Sequence, residues 1–215
     1  MVSKHTLKNG KKPINLQQYR RIRDLIRNAG SRFASRNLLL INLQTNTCIP
    51  SSDVLRFKTG TVFREGRIIS MFWINQKKPN KSQLVAATRS IRSDIKAVMR
   101  DYSKLFGEEY FNDPSNPLFP SQRIDKTTGR YQAISYGSYR RFLRQAFRNL
   151  NMNPDLYGTH SLRSALPHAY LLKTGDKAGA KALLRLKPGR TTITYIDKTS
   201  SLKAIEIKKE LQFSD

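Results

Sequence analysis

The sequence predicts an α+β domain that is mostly helical and contains a small three-stranded antiparallel sheet. Apolar residues recur at helical spacing in residues 91–105 and 136–150. Residues 61–63 and 68–74 are rich in β-branched, aromatic and other apolar side chains, and residues 83–87 are the expected third strand. At 215 residues, the chain is long enough for one well-buried domain.

The other elements follow from the same rules. Residues 17–28 predict a basic helix, and residues 31–45 predict a buried helix. Residues 50–53 begin a short helix, because Ser and Asp near a helix start cap the unpaired N–H groups and Pro is tolerated in the first turn. Residues 107–129 are rich in Pro, Asn and Asp and predict a loop. Helices are predicted at 161–173, 178–186 and 202–211. We therefore divide the chain into a disordered basic lead-in (1–13), a domain (14–198) and a C-terminal helix and tail (199–215).

The charge of the chain is its most informative bulk property. Lys and Arg total 40 against 15 acids, which gives a formal net charge of +25. Because each cation that meets a phosphate releases a condensed counterion, this excess favours a nucleic-acid partner. The basic residues are spread along the chain, which indicates a folded basic surface. RNA-binding or ribosome-associated proteins share this composition. A membrane-surface protein would need an amphipathic basic helix or a lipidation motif, and we find no lipidation motif.

The remaining composition narrows the class of protein. A single cysteine excludes an internal disulfide and offers no metal framework. No apolar segment approaches membrane-spanning length, and the basic N-terminus lacks the apolar region of a secretory signal. We therefore expect a cytoplasmic protein that associates with the nucleoid.

One motif is specific. Residues 159–163 read T-H-S-L-R at the start of a predicted helix, a second helix ends at Leu186, and Tyr195 lies nine residues further on. This order resembles the catalytic domain of tyrosine recombinases (phage-type integrases). That family carries an H-x-L-R motif, a second helix, a glycine–histidine pair and a tyrosine nine residues beyond the histidine. An isolated H-x-L-R is weak evidence, but the spacing strengthens it.

The first half of the chain agrees with this resemblance. The family has a buried helix, a turn close to T-G-L-R, a short helix and a sheet with a lysine-bearing hairpin. Here the buried helix leads into T-N-T-C at residues 45–48, and residues 76–81 read Q-K-K-P-N-K, like that hairpin. The resemblance covers roughly residues 31–196, and the family's usual N-terminal core-binding domain has no counterpart in it.

The resemblance implies a phosphoryl-transfer site. In the family a tyrosine hydroxyl attacks a DNA phosphate and forms a covalent phosphotyrosine. Because this tyrosine link conserves the bond energy, the resemblance implies that no cofactor is needed. By position, Tyr195 is the nucleophile, Arg163 the second arginine, His160 the histidine, and Lys77 or Lys78 the general acid. A guanidinium suits the phosphate because it pairs bidentately with two oxygens, and a lysine can protonate the leaving oxygen.

Two positions depart from the family pattern. Cys48 stands where the first arginine is expected, and Leu186 stands where the family has histidine or tryptophan. Neither side chain replaces the missing donor, and losing one preorganised donor costs about 10²–10³ in rate. We therefore expect a sequence-specific DNA-binding regulator or architectural partner with impaired strand transfer. The alternative is an active site-specific recombinase in which Arg185, Lys187 or an arginine from elsewhere substitutes. Arg56 is a further candidate by charge, but it lies two helical turns beyond Cys48 and is expected to be out of reach.

The expected DNA-contacting residues lie on the hairpin, on the basic helix that begins near residue 136, and after the last motif helix. They are Lys81, Arg140, Arg141, Arg144, Arg185, Lys187 and Arg190. The expected partner is double-stranded DNA, on which the chain forms a homo-oligomer. Family likeness and its amphipathic pattern suggest that the helix at 202–211 packs on a neighbouring protomer. A preference for structured or single-stranded RNA would favour the third class, an RNA-binding protein.

Overall fold

The computed structural model describes residues 11–75, residues 82–184 and Phe213. In chain order the helices are α1 (Leu16–Asn28), α2 (Ala34–Thr47), α3 (Ser51–Val54), α4 (Thr59–Val62), α5 (Arg89–Phe106), α6 (Tyr136–Asn149), α7 (Thr159–Arg163), α8 (Ala165–Thr174) and α9 (Lys177–Leu184). The strands are β1 (Phe63–Arg64), β2 (Arg67–Ile68), β3 (Met71–Asn75), β4 (Ser82–Ala86), β5 (Pro120–Ile124) and β6 (Tyr131–Ala133). The predicted helix at 202–211 lies outside the described residues.

Helix α2 is the centre of the fold. Every residue from Ser35 to Thr47 is buried, and the helix contacts α1, α5, α7 and α8. Leu39, Leu40 and Leu43 are fully enclosed, because a run of apolar residues covers all sides of the helix. The prediction of a buried helix at residues 31–45 is therefore confirmed.

A buried polar network joins three helices. Arg23 of α1 donates from Nη1 and Nη2 to the two carboxylate oxygens of Asp94 of α5, each at 2.9 Å. Asn42 of α2 donates Nδ2–H to Asp94 Oδ2 at 2.7 Å. Because both charges are paired and hydrogen-bonded, the network tolerates its burial and fixes how α1, α2 and α5 pack.

The same network reaches a residue near the C-terminus. Asn46 donates Nδ2–H to Asn42 Oδ1 at 2.7 Å and to the Phe213 carbonyl at 3.0 Å. Its Oδ1 accepts the Phe213 backbone N–H at 2.9 Å. The buried Phe213 ring meets the Tyr19 ring edge-on at 5.5 Å between centroids. One side chain therefore satisfies both backbone groups of Phe213 in the core of its own chain.

The strands form antiparallel pairs. The ladders β1–β2, β3–β4 and β5–β6 are separate in the described residues, so the single three-stranded sheet predicted from the sequence is not formed. The residues that connect β2 to β3 extend the β1–β2 and β3–β4 ladders separately and do not join them. Ile69 N–H donates to Val62, and Ala87 N–H donates to the carbonyl of Ser70. The mostly helical α+β fold class is confirmed.

Several local predictions also differ. The predicted strand start at 61–62 belongs to α4, and the predicted loop at 107–129 contains a 3-10 turn (Glu108–Phe111) and β5. The predicted helix at 161–173 is divided at Ser164, whose hydroxyl donates to the His160 carbonyl at 2.7 Å. At the N-terminus, Lys12 N–H donates to the Leu156 carbonyl at 2.8 Å, so contacts with the domain begin within the predicted lead-in.

Within the described ranges, no helix combines the length and the apolar character that crossing a lipid bilayer requires.

Candidate functional site

The candidate site is a pocket of about 240 Å³ at the C-terminal end of α2, which we call the Arg163 pocket. It lies where the residues after α2 meet α3, the start of α6, and α7. The lining residues are Gln44, Pro50, Ser51, Ser52, Tyr136, Thr159, His160 and Arg163. None of them is acidic, and most carry hydrogen-bond donors. The pocket is therefore suited to an anion.

Arg163 is fixed by two backbone acceptors. It donates Nε–H to the Cys48 carbonyl at 2.8 Å and an Nη2–H to the Leu184 carbonyl at 3.1 Å. Within the described residues, Nη1 has no bonded partner, so its two N–H groups remain for a bound anion. Burial lowers the pKa of Arg163, but an arginine stays charged near neutral pH.

Cys48 contributes to the site through its backbone. It caps α2 in the left-handed conformation, with φ 58° and ψ 21°, and it is 5% exposed. A residue with a Cβ adopts this conformation at a cost of roughly 1–2 kcal/mol. Its side chain is buried and does not line the pocket.

A buried glutamine positions the motif helix α7. Tyr139 donates its hydroxyl to Gln44 Oε1 at 2.7 Å, and Gln44 donates Nε2–H to the Thr159 carbonyl at 2.8 Å. Burial raises the pKa of Tyr139 well above its usual value, so the hydroxyl stays protonated and can donate. This relay holds the start of α7, and His160 follows it with an exposed side chain at the pocket.

Sequence reasoning did not identify four of the lining residues as functional: Gln44, Ser51, Ser52 and Tyr136. Tyr136 is 48% exposed, and its hydroxyl lies 3.3 Å from Thr159 Oγ1. The sequence offered two signals for these four residues: a glutamine that directly follows an apolar run, and hydroxyl-bearing residues at the starts of two predicted helices. Hydroxyl-bearing residues at helix starts usually cap helices, so these signals are weak on their own.

The basic helix α6 extends from the pocket. Its buried side consists of Tyr139, Leu143, Ala146 and Phe147. Arg140 and Arg141 are exposed, as expected for contact with a polyanion. Arg144 is less exposed and lies 3.4 Å from Asp155, a surface ion pair that contributes at most about 1 kcal/mol. Because Tyr136 belongs to both the pocket and α6, the pocket and this arginine-rich surface are continuous.

Arg56 is the one candidate substitute for the first arginine that lies within the described residues. Arg56 lies 3.0 Å from Asp53 and does not line the pocket, so it does not take the place of the first arginine. Outside the described residues are the hairpin lysines Lys77, Lys78 and Lys81, and the C-terminal positions Arg185, Leu186, Lys187, Arg190 and Tyr195. The roles assigned to them remain predictions. Among the described residues, no cluster of His, Cys, Asp or Glu is arranged to hold a metal ion.

No protein-family model matches the chain, and no curated protein sequence matches it. Solved structures do. XerH recombinase bound to its difH substrate matches with a TM-score of 0.59 and 16% identity, over 84% of this chain and 48% of that one. XerA recombinase matches with a TM-score of 0.59 and 14% identity, over 93% of this chain and 64% of that one.

A lambda integrase dimer (75–356) bound to a COC′ core site matches with a TM-score of 0.54 and 14% identity, over 87% of this chain and 62% of that one. The chain thus spans about half to two thirds of the length of these proteins. The arrangement of its helices and small antiparallel sheets is the fold of the tyrosine-recombinase catalytic domain.

Proposed function

We propose that this chain binds double-stranded DNA across the Arg163 pocket and the exposed arginines of α6. The observation that carries the proposal is the continuity of the two surfaces, which Tyr136 joins. The formal net charge of +25 adds long-range attraction to phosphates. Proteins of the same fold support it, because XerH was solved on its difH substrate and lambda integrase on a core site.

In this proposal the Nη1 group of Arg163 and the side chain of His160 receive one backbone phosphate. The hydroxyls of Ser51, Ser52 and Tyr136 add neutral donors around it. Contacts of this kind fix the register of a protein on a duplex without reading its sequence. Base contacts would come from α6 or from the hairpin lysines.

Strand transfer would need more than phosphate binding. Tyr195 would form a bond to phosphorus and lose its proton, while the 5′-oxygen leaves and takes a proton from Lys77 or Lys78. Arg163 is the single arginine that lines the pocket in the described residues, and Cys48 is buried. The first proposal is therefore a DNA-binding regulator or architectural partner with impaired chemistry, acting as a homo-oligomer on DNA.

The second candidate is an active site-specific recombinase. It is favoured by the combination of Arg163 and His160 at one pocket with Tyr195 at the expected spacing. It requires Arg185, Lys187 or an arginine from elsewhere to stabilise the pentacoordinate phosphate, because Cys48 stands where the family has its first arginine. The two candidates share DNA binding and differ in covalent chemistry.

One experiment separates the candidates. The full chain, Tyr195→Phe, and a Cys48→Arg plus Leu186→His double variant are incubated with supercoiled plasmid that carries the protein's own genomic neighbourhood. A covalent adduct that depends on Tyr195 in the unmodified chain would establish the recombinase. An adduct in the double variant alone, with binding by the unmodified chain intact, supports the regulator. Tighter binding to structured RNA than to duplex DNA would overturn both.

A further inference from the structure

A second basic surface lies outside the Arg163 pocket. It is an open groove of about 960 Å³ between the β1–β2 hairpin and the outer side of α5, and we call it the α5 groove. Four exposed cationic side chains line it: Arg67, Arg89, Arg92 and Lys96. It shares no lining residue with the Arg163 pocket.

The charge of the α5 groove is not compensated by the described part of the protein. None of the four cations has a carboxylate of the described residues within ion-pair distance, and no acidic residue lines the groove. Glu65, in the turn of the β1–β2 hairpin, is outside the lining, and Asp94 points to the opposite side of α5, where it binds Arg23. Four cations of one sign repel one another unless a polyanion neutralises them.

The spacing of the cations fits an extended anion. Arg89, Arg92 and Lys96 recur at i, i+3 and i+7 on one side of α5. At 1.5 Å per residue they span about 10 Å along the helix. One strand of duplex DNA carries a charge for about every 3.4 Å of helix axis, so this length matches roughly three phosphates. An isolated small anion would engage only part of the row.

Contacts within the groove hold part of this row in place. Arg92 donates Nε–H to the carbonyl of Ala87 at 2.8 Å, and Ala87 is itself a lining residue. The apolar lining residues Phe63, Ile68 and Met99 are at least partly buried against the core. The groove therefore combines a partly buried apolar floor with four exposed cationic side chains, and these cations favour a phosphate backbone.

The α5 groove and the Arg163 pocket lie on different sides of α2. Asn42 faces α5, where it donates to Ser90 Oγ at 2.9 Å, while Gln44 faces α7 through the Thr159 carbonyl. The groove is formed by the side of α5 that is turned away from α2. An α-helix with its side chains is about 10–12 Å across, so the two surfaces are separated by the thickness of packed helices.

We infer that the α5 groove binds the phosphate backbone of a second DNA duplex segment, so that one protein molecule bridges two duplexes. The inference rests on the proposed function, because the first duplex occupies the Arg163 pocket and α6. Binding at the groove is independent of base sequence, since its donors are flexible cations that meet phosphates.

The test uses the full chain and two short duplexes that carry a donor and an acceptor dye. Resonance energy transfer between the duplexes reports bridging, and anisotropy of one duplex reports the first binding event. The groove variant is Arg67→Gln/Arg89→Gln/Lys96→Gln. The matched control removes the same charge from exposed residues elsewhere: Lys104→Gln/Arg123→Gln/Lys126→Gln.

We expect the groove variant to bind the first duplex within about twofold of the control but to lose energy transfer. In single-residue variants that still bridge, the slope of log affinity against log salt for bridging should fall by about 1 for each phosphate contact removed. Arg67→Glu alone should give a partial loss and serves as the less perturbing variant. Equal bridging by both triple variants would overturn the inference.

Other outcomes are equally decisive. If the unmodified chain binds one duplex and never a second, the inference fails while the proposed function stands. If the groove variant loses affinity for the first duplex, the groove belongs to a single extended interface and the inference of a second duplex is wrong. If no duplex binds at all, the proposed function itself has failed.

Discussion

Arg163 donates its Nε–H to the carbonyl of Cys48 at 2.8 Å, so the arginine of the pocket is tied to the backbone of the residue that ends α2. The left-handed conformation of Cys48 ends α2 and places this carbonyl at the pocket, where it accepts the bond from Arg163. The orientation of Arg163, the proposed phosphate donor, thus depends on the backbone at position 48.

Replacing Arg163 with lysine should weaken duplex binding although the charge is kept. An ammonium group cannot hold the Cys48 and Leu184 carbonyls and also present a planar donor pair. We expect the dissociation constant for a duplex, measured by fluorescence anisotropy, to rise about 10-fold. This rise corresponds to the loss of one charge-assisted hydrogen bond. Arg123→Lys, an exposed change on β5, is the control, and equal affinity in both variants would contradict the role of Arg163.

Removing the Gln44 amide should destabilise the start of α7. In Gln44→Leu, the Tyr139 hydroxyl and the Thr159 carbonyl lose a buried partner, which costs about 1–3 kcal/mol. Tyr139→Phe removes one of the two bonds and should cost less. Because the residues are in contact, the double variant should be more stable than the sum of the singles predicts, by about 0.5 kcal/mol or more in urea unfolding. Strict additivity would contradict the relay.

Breaking the buried ion pair should destabilise the whole domain. Asp94→Leu leaves Arg23 buried without its carboxylate, and we expect a loss of about 3–5 kcal/mol in the free energy of unfolding. The double change Arg23→Met/Asp94→Leu removes both charges and should recover most of that loss. Denaturant unfolding followed by circular dichroism measures both, and a double variant as unstable as the single one would count against this account.

The start of α9 should carry a pH-dependent part of the stability. The Gly179 and Ala178 N–H groups and the Tyr170 hydroxyl donate to Asp176, and they lower the pKa of its carboxyl group. Because the pKa is lower in the folded state, this stability is fully present at pH values above the unfolded-state pKa of about 3.9. It is lost as the pH falls through the folded-state pKa. The melting temperature of the Asp176→Asn variant should therefore change less between neutral pH and about pH 3 than the melting temperature of the unmodified chain. Equal pH dependence would argue against it.

The spacing of apolar residues in the sequence predicted the helices in which those residues repeat regularly. Helices α2, α5 and α6 lie within a few residues of their predicted bounds, because their apolar residues repeat at helical spacing. The sheet was predicted less well. The apolar pattern marked strand positions but did not specify their partners: β1 pairs with β2, β3 pairs with β4, and the bond from Ala87 N–H to the Ser70 carbonyl only continues the second ladder.

The site was predicted where a motif marked it and missed where the fold assembled it. Arg163 and His160 were identified from T-H-S-L-R, and both line the pocket. Gln44 and Tyr136 were not, because 92 positions of sequence separate them and only the packing of α2 against α6 and α7 brings them together. A polar residue in a buried helix looks in sequence like a polar residue on a surface.

The amide of Asn46 has a counterpart in the guanidinium of Arg163. Leu184 is held by Arg163 and Phe213 is held by Asn46, so both positions are anchored on the same domain. Each anchor accepts a hydrogen bond through a backbone carbonyl, so it does not depend on which side chain stands at position 184 or 213.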